Sequence, residues 1–144
     1  MALLRTVVGA ALVLASPAGG CQPTGLPDYG CVMRVHTVPE EFRPEGTDAL
    51  WVHAIVEARC DVQPRSHNLR LTLRQQEEES QVWRERNVGE YERLPTAAGR
   101  LYTITYQECI PGRWSLRTVV TGQDSRGAEY RFEIPEVRGR VRCG

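Results

Sequence analysis

The segment Leu50 to Cys60 alternates so strictly that only one regular backbone accommodates it. In an extended chain Leu50, Val52, Ala54, Val56, Ala58 and Cys60 fall on one side, while Trp51, His53, Glu57 and Arg59 fall on the other. A helix would scatter the same residues around its circumference, so the segment predicts a half-buried strand with Cys60 pointing inward. The period recurs. Leu69, Leu71 and Leu73 alternate with Arg70, Thr72 and Arg74, and Tyr102, Ile104 and Tyr106 alternate with Leu101, Thr103 and Thr105. Tyr130, Phe132 and Ile134 interleave with Glu129, Arg131 and Glu133. Trp114, Leu116 and Val120 line one face of a further strand ending near Gly122, and Gln81 to Arg86 around Trp83 predicts a strand at a sheet margin.

Turn chemistry punctuates these runs. Asp61 to Asn68 contains Pro64 and Asn68, Tyr91 to Gly99 contains Pro95 and Gly99, and Pro111-Gly112 marks a tight turn. Asp124 to Gly127 predicts a hairpin loop, and Pro135 ends or bends the last strand. About seven short strands at intervals of roughly ten residues, with no helical period to supply crossovers, predict an all-β chain. The expected architecture is an antiparallel immunoglobulin-like sandwich, with a small β-barrel as the alternative. A chain of 144 residues has room for one such domain, expected over residues 31–144.

The amino terminus specifies a compartment. Met1 to Thr6 carries a single charge, Arg5, and precedes the apolar run Val7 to Ala15 and a stretch of small residues through Gly20. That layout predicts a secretory signal over residues 1–20, since the apolar run is well short of the roughly 20 residues that span a membrane. Ala18-Gly19-Gly20-Cys21 has the form of a lipoprotein cleavage box, which makes Cys21 a candidate for lipidation. Ala18 and Gly20 also suit an ordinary signal-peptidase site. Residues 21–30, rich in Pro and Gly, predict a linker or tether.

Five cysteines in an exported chain leave one over. With Cys21 carrying lipid, Cys31, Cys60, Cys109 and Cys143 remain for two disulfides in any of three connectivities. No C-x-x-C spacing is present, which removes zinc ribbons and thioredoxin-like chemistry.

The segment Cys109-x-x-Gly112-x-Trp114, followed by Val120-x-Gly122 and Gly127, resembles the last hairpin of small exported immunoglobulin-like proteins common in high-GC Gram-positive bacteria. The resemblance covers about a quarter of the chain and implies fold and compartment without an activity. It also implies a Cys60–Cys109 bridge across the core. Cys109, however, precedes the Pro-Gly turn, whereas the core cysteine of an antibody domain lies within the penultimate strand.

All 18 basic residues are arginine, and removal of Arg5 with the signal leaves one net negative charge. Such balance gives no global attraction to nucleic acid or to an anionic membrane, so the only expected membrane contact is a lipid on Cys21. His36, His53 and His67 lack the spacing that places two metal ligands on one face, and their default state is partly exposed. No nucleophile elbow, phosphate loop or dinucleotide fingerprint occurs, so the chain is read as a nonenzyme without cofactor or metal. Arg138, Arg140 and Arg142 alternate with Gly139, Val141 and Cys143 and form a candidate anion-contact row. The competing reading is that these charges keep an edge strand from pairing with another chain. The expected role is therefore a noncatalytic extracellular binding domain for a protein or cell-wall ligand. The alternative is an inhibitor of an extracellular hydrolase, working through the Asp61 to Asn68 and Asp124 to Gly127 loops.

Overall fold

A computed structural model of the protein describes residues 30–144. The segment expected to be a secretory signal, most of the expected tether and the candidate lipid site Cys21 lie outside them. The described chain is all-β: β1 (Cys31–Phe42), β2 (Trp51–Cys60), β3 (Ser66–Gln76), β4 (Trp83–Tyr91), β5 (Arg100–Tyr106), β6 (Gly112–Gln123) and β7 (Glu129–Val141). They form two antiparallel sheets, one in the order β1-β2-β5 and one in the order β4-β3-β6-β7. The sheets do not join into one ladder, so the chain is a sandwich and the barrel alternative falls. In the constant-type immunoglobulin order the fourth strand lies beside the fifth; here β4 pairs with β3 instead.

The alternating rows meet where the pattern requires. Val52, Ala54, Val56 and Ala58 of β2 share a single core with Leu69, Leu71 and Leu73 of β3, Tyr102 and Ile104 of β5, and Trp114, Leu116 and Val120 of β6. Trp114 is fully buried and donates its indole N–H to the Ile110 carbonyl at 2.8 Å, which satisfies its one polar atom. Side chains close one flank of the sandwich and a close approach of backbones closes the other. Asn87 Nδ2 and the Tyr91 hydroxyl of β4 each donate to β5, to the carbonyls of Thr105 and Thr103, at 2.6 Å. On the opposite flank β7 lies against β1 so closely that a Cβ at Gly139 would stand 1.9 Å from the Pro39 carbonyl oxygen.

Several boundaries differ from expectation. β4 starts at Trp83 and continues through Tyr91, and β3 begins at Ser66, so the loop expected to reach Asn68 ends at residue 65. Pro135 bends β7 without ending it. The register slips between Leu116 and Thr118, where the partners jump from Val137 to Ile134, so β7 carries one extra residue. The bulge keeps Tyr130, Phe132 and Ile134 on the inner side before it and Val137 and Val141 on that side after it.

The disulfides are Cys31–Cys60 and Cys109–Cys143. The bridge implied between Cys60 and Cys109 is therefore absent, and the register explains why. β5 pairs Tyr106 with Val52 at one end and Arg100 with Ala58 at the other. Cys109 follows Tyr106 and Cys60 follows Ala58, so the two cysteines stand at opposite ends of the sandwich. One bridge joins directly opposed residues of β1 and β2, and the other ties the β5–β6 connection to the chain end beyond β7.

Candidate functional site

Antiparallel pairing converts the arginine row of the sequence into a patch two strands wide and more. Arg138 and Arg140 are exposed and project from the solvent side of β7, the edge strand of the larger sheet. Arg142 stands past the end of β7, where its backbone N–H donates to Glu41 Oε2 at 2.9 Å. Arg140 lies directly opposite Arg113 of β6, and Arg138 lies opposite Ser115, whose other neighbour is Arg74 of β3.

Trp83, at the start of β4, reaches over this face. Its ring centre is 5.2 Å from the guanidinium carbon of Arg138 and 5.8 Å from that of Arg74. Such contacts are worth roughly 0.5–1 kcal/mol each at exposed positions. Ser115, between the two arginines on the solvent side of β6, is thereby fully buried. Next to the indole runs an open groove of about 520 Å³, lined by Arg70, Thr72, Arg74, Trp83, Glu85, Arg117, Val119 and Arg131. Three of its arginines hold exposed ion pairs: Arg70 with Glu90 at 3.3 Å, Arg74 with Glu136 at 3.4 Å, and Arg117 with Glu133 at 2.7 Å. The hydrogen bond from Arg117 lowers the Glu133 carboxyl below its ordinary range, and Glu133 raises Arg117 in turn. Guanidinium forks, an indole and hydroxyls equip this face for recognising anions.

The other sequence-flagged residues fall elsewhere. His53 meets Glu40: the two are partners in the register, with Nε2 and Oε1 3.3 Å apart, and Phe42 stacks on the imidazole at 4.2 Å. Among the described residues no group of three His, Cys, Asp or Glu side chains is placed to hold a metal ion. His67 departs from the expected partial exposure. It is buried on the inner face of β3, its Nδ1 lies 3.3 Å from the Tyr130 hydroxyl, and burial lowers its pKa to about 4.

The two loops expected to carry an inhibitor do come together. Arg65 donates its backbone N–H to the Gln123 carbonyl at 2.9 Å and its Nε to the Ser125 carbonyl at 3.2 Å. Asp124 Oδ1 accepts the N–H groups of Ala128 and Arg126 at 2.8 Å each, and these bonds, the Ala128 bond first, lower its carboxyl pKa. Both loops share the end of the sandwich that holds Cys31–Cys60 and Gly30, where the tether would join.

The outward positions of β3 and β7 are readable as polar alternates of apolar rows. Their assembly into one face with Trp83 depends on the strand order, which periodicity does not encode.

No protein-family model and no curated protein matches this chain. Among solved structures, it is similar to a Bordetella pertussis protein provisionally named ApaA, with a TM-score of 0.55 and 14% identity over 78% of this chain and 94% of that one. It also aligns with a β-glucosidase from Kluyveromyces marxianus at 12% identity, over 81% of this chain and 16% of that chain. The second TM-score, 0.29, is too low to support a structural argument. At such identities the first likeness shows a shared fold alone.

Proposed function

We propose that this chain is an exported, noncatalytic binding domain that presents the outer face of its four-strand sheet to a ligand outside the cell membrane. The groove beside Trp83 carries the reading, because it gathers aromatic and guanidinium groups from four strands of a rigid sheet. Two disulfides are compatible with an oxidising compartment, and the layout of residues 1–20 supports export. The mature domain is either released or held by lipid on Cys21. In the anchored form the tether joins at Gly30, and the arginine face starts beside that end at Arg131 and runs along the side of the domain to Arg113 and Arg140 at the other.

The test is co-sedimentation of the mature protein with envelopes isolated from its own host. The wild type is expected in the pellet, and a Trp83→Ala, Arg117→Glu variant with unchanged circular dichroism in the supernatant. Equal sedimentation of both proteins would overturn the assignment of the face, and a soluble wild type would overturn envelope binding.

A second reading, an inhibitor of an extracellular hydrolase, has one observation in its favour, the junction of the loops at 61–65 and 124–128 through Arg65. Near-stoichiometric inhibition within a broad hydrolase panel, abolished by substitution of Arg126, would replace the first reading by this one.

A further inference from the structure

We infer that the ligand of this face is a phosphate-bearing polymer of the cell envelope, bound along β6 from the Arg113–Arg140 pair to Arg131. The inference rests on the binding reading above and assigns its ligand. Like charges directly opposite on paired strands repel, yet Arg113 and Arg140 occupy opposed positions, and neither guanidinium lies within ion-pair distance of a carboxylate among the described residues. Beside them is a recess lined by Gln76, Gln81, Gly112 and the acidic Glu77 and Glu78. Glu77 is already engaged by Arg84 and Ser80. Two opposed forks suit a tetrahedral oxyanion, which offers acceptors on several sides, better than a planar carboxylate with two oxygens.

The cationic positions continue from there. Arg138 and Arg74 flank Trp83, and Arg70, Arg117 and Arg131 line the adjoining groove. Their glutamate partners form exposed pairs, which are weak and screened by salt, so a multivalent anion competes for the guanidinium groups. Arg140 and Arg131 sit opposite Arg113 and Thr121, which places them roughly 27 Å apart along the sheet. A linear polymer with closely spaced charges bridges that distance, and a single anion does not. The indole supplies a flat surface for a sugar or an alkyl unit between charges. Export, which the layout of residues 1–20 supports, favours an envelope polymer over nucleic acid as the source of the phosphate.

The test measures binding of the mature protein to long-chain polyphosphate, polygalacturonate, single-stranded DNA and neutral dextran across a salt series. Polyphosphate is expected to bind, weakening steeply with salt, and to outlast fragments too short to reach from Arg140 to Arg131. An Arg113→Gln, Arg140→Gln variant, which relieves repulsion and so keeps the fold, should bind about tenfold more weakly with a shallower salt slope. Tighter binding of polygalacturonate would overturn the tetrahedral-anion argument, and tighter binding of DNA would overturn the envelope polymer. No polyanion binding alongside intact envelope sedimentation would overturn this ligand while leaving the binding face in place. Loss of both would overturn the two together.

Discussion

Two residues at one end of the core show how closely the sheets are fitted. Gly122 faces Tyr130 across β6 and β7, and the Tyr130 hydroxyl passes over it to donate to the Ser66 carbonyl at 2.7 Å. A Cβ at Gly122 would stand 2.1 Å from that hydroxyl and 2.2 Å from the Ser66 carbonyl oxygen, which is backbone and cannot swing aside. Gly122→Ala is therefore expected to cost about 2–3 kcal/mol in urea unfolding, against about 0.5 kcal/mol or less for Thr121→Ala beside it. His67 makes the same region sensitive to pH. Above pH 6.5 its ring is neutral in the folded and the unfolded chain alike, and stability is at its full value. Below that, the unfolded chain takes up a proton that the folded chain refuses until about pH 4, so stability falls between those values. A loss of roughly 3 kcal/mol is expected over this window, and His67→Gln should flatten it, as read from urea midpoints at closely spaced pH. A flat wild-type profile would contradict the burial. The depressed carboxyls of Asp124 and Glu133 act lower, below the ordinary carboxylate range. The expectation of a partly exposed His67 was wrong, although the inward row of Leu69, Leu71 and Leu73, extended back by two residues, reaches it. Its contact with Tyr130, 63 residues away, was not legible.

At the level of elements, β7 carries the feature that a simple alternation misses. Its apolar row occupies even positions up to Ile134 and odd positions from Val137, and a change of parity across a proline is the sequence signature of a bulge. Deleting Pro135 removes the extra residue and leaves a regular ladder, so that variant is expected to lie within about 1 kcal/mol of wild type. Deleting Arg138 turns Val141 outward and misplaces Cys143, and is expected to prevent the Cys109–Cys143 bridge, as peptide mapping without reductant would show. The bridges themselves clamp opposite ends of the sandwich across sequence separations of 29 and 34. Loops of such length predict a loss of about 3–4 kcal/mol for Cys109→Ala, Cys143→Ala and a similar loss for the other pair. Pairing was the part of the cysteine pattern that spacing left open. It follows from which strand ends coincide, and the antibody-like bridge fails because β5 runs the length of the sandwich between Cys60 and Cys109.

For the molecule as a whole, alternation and turn spacing specified strands and inward rows, and hence a sandwich or a small barrel, between which the two separate sheets decide. The strand order β4-β3-β6-β7 then creates a surface that no single segment announces. Arg138 and Arg140 were visible as a row, but Arg113 and Arg74 join them only because β6 and β3 lie alongside, and Trp83 joins because β4 closes the far edge. The proposal that this doubly stapled domain is exported underlies its reading as a binding face outside the membrane. Intact mass spectrometry of the protein recovered from its host's envelope and medium, with and without reductant, tests it most directly. The expected mass is that of a chain beginning at or near Cys21, with or without lipid there, and reduction should add the hydrogens of two disulfides. A chain retaining Met1 to Gly20, or one whose mass reduction leaves unchanged, would contradict the account.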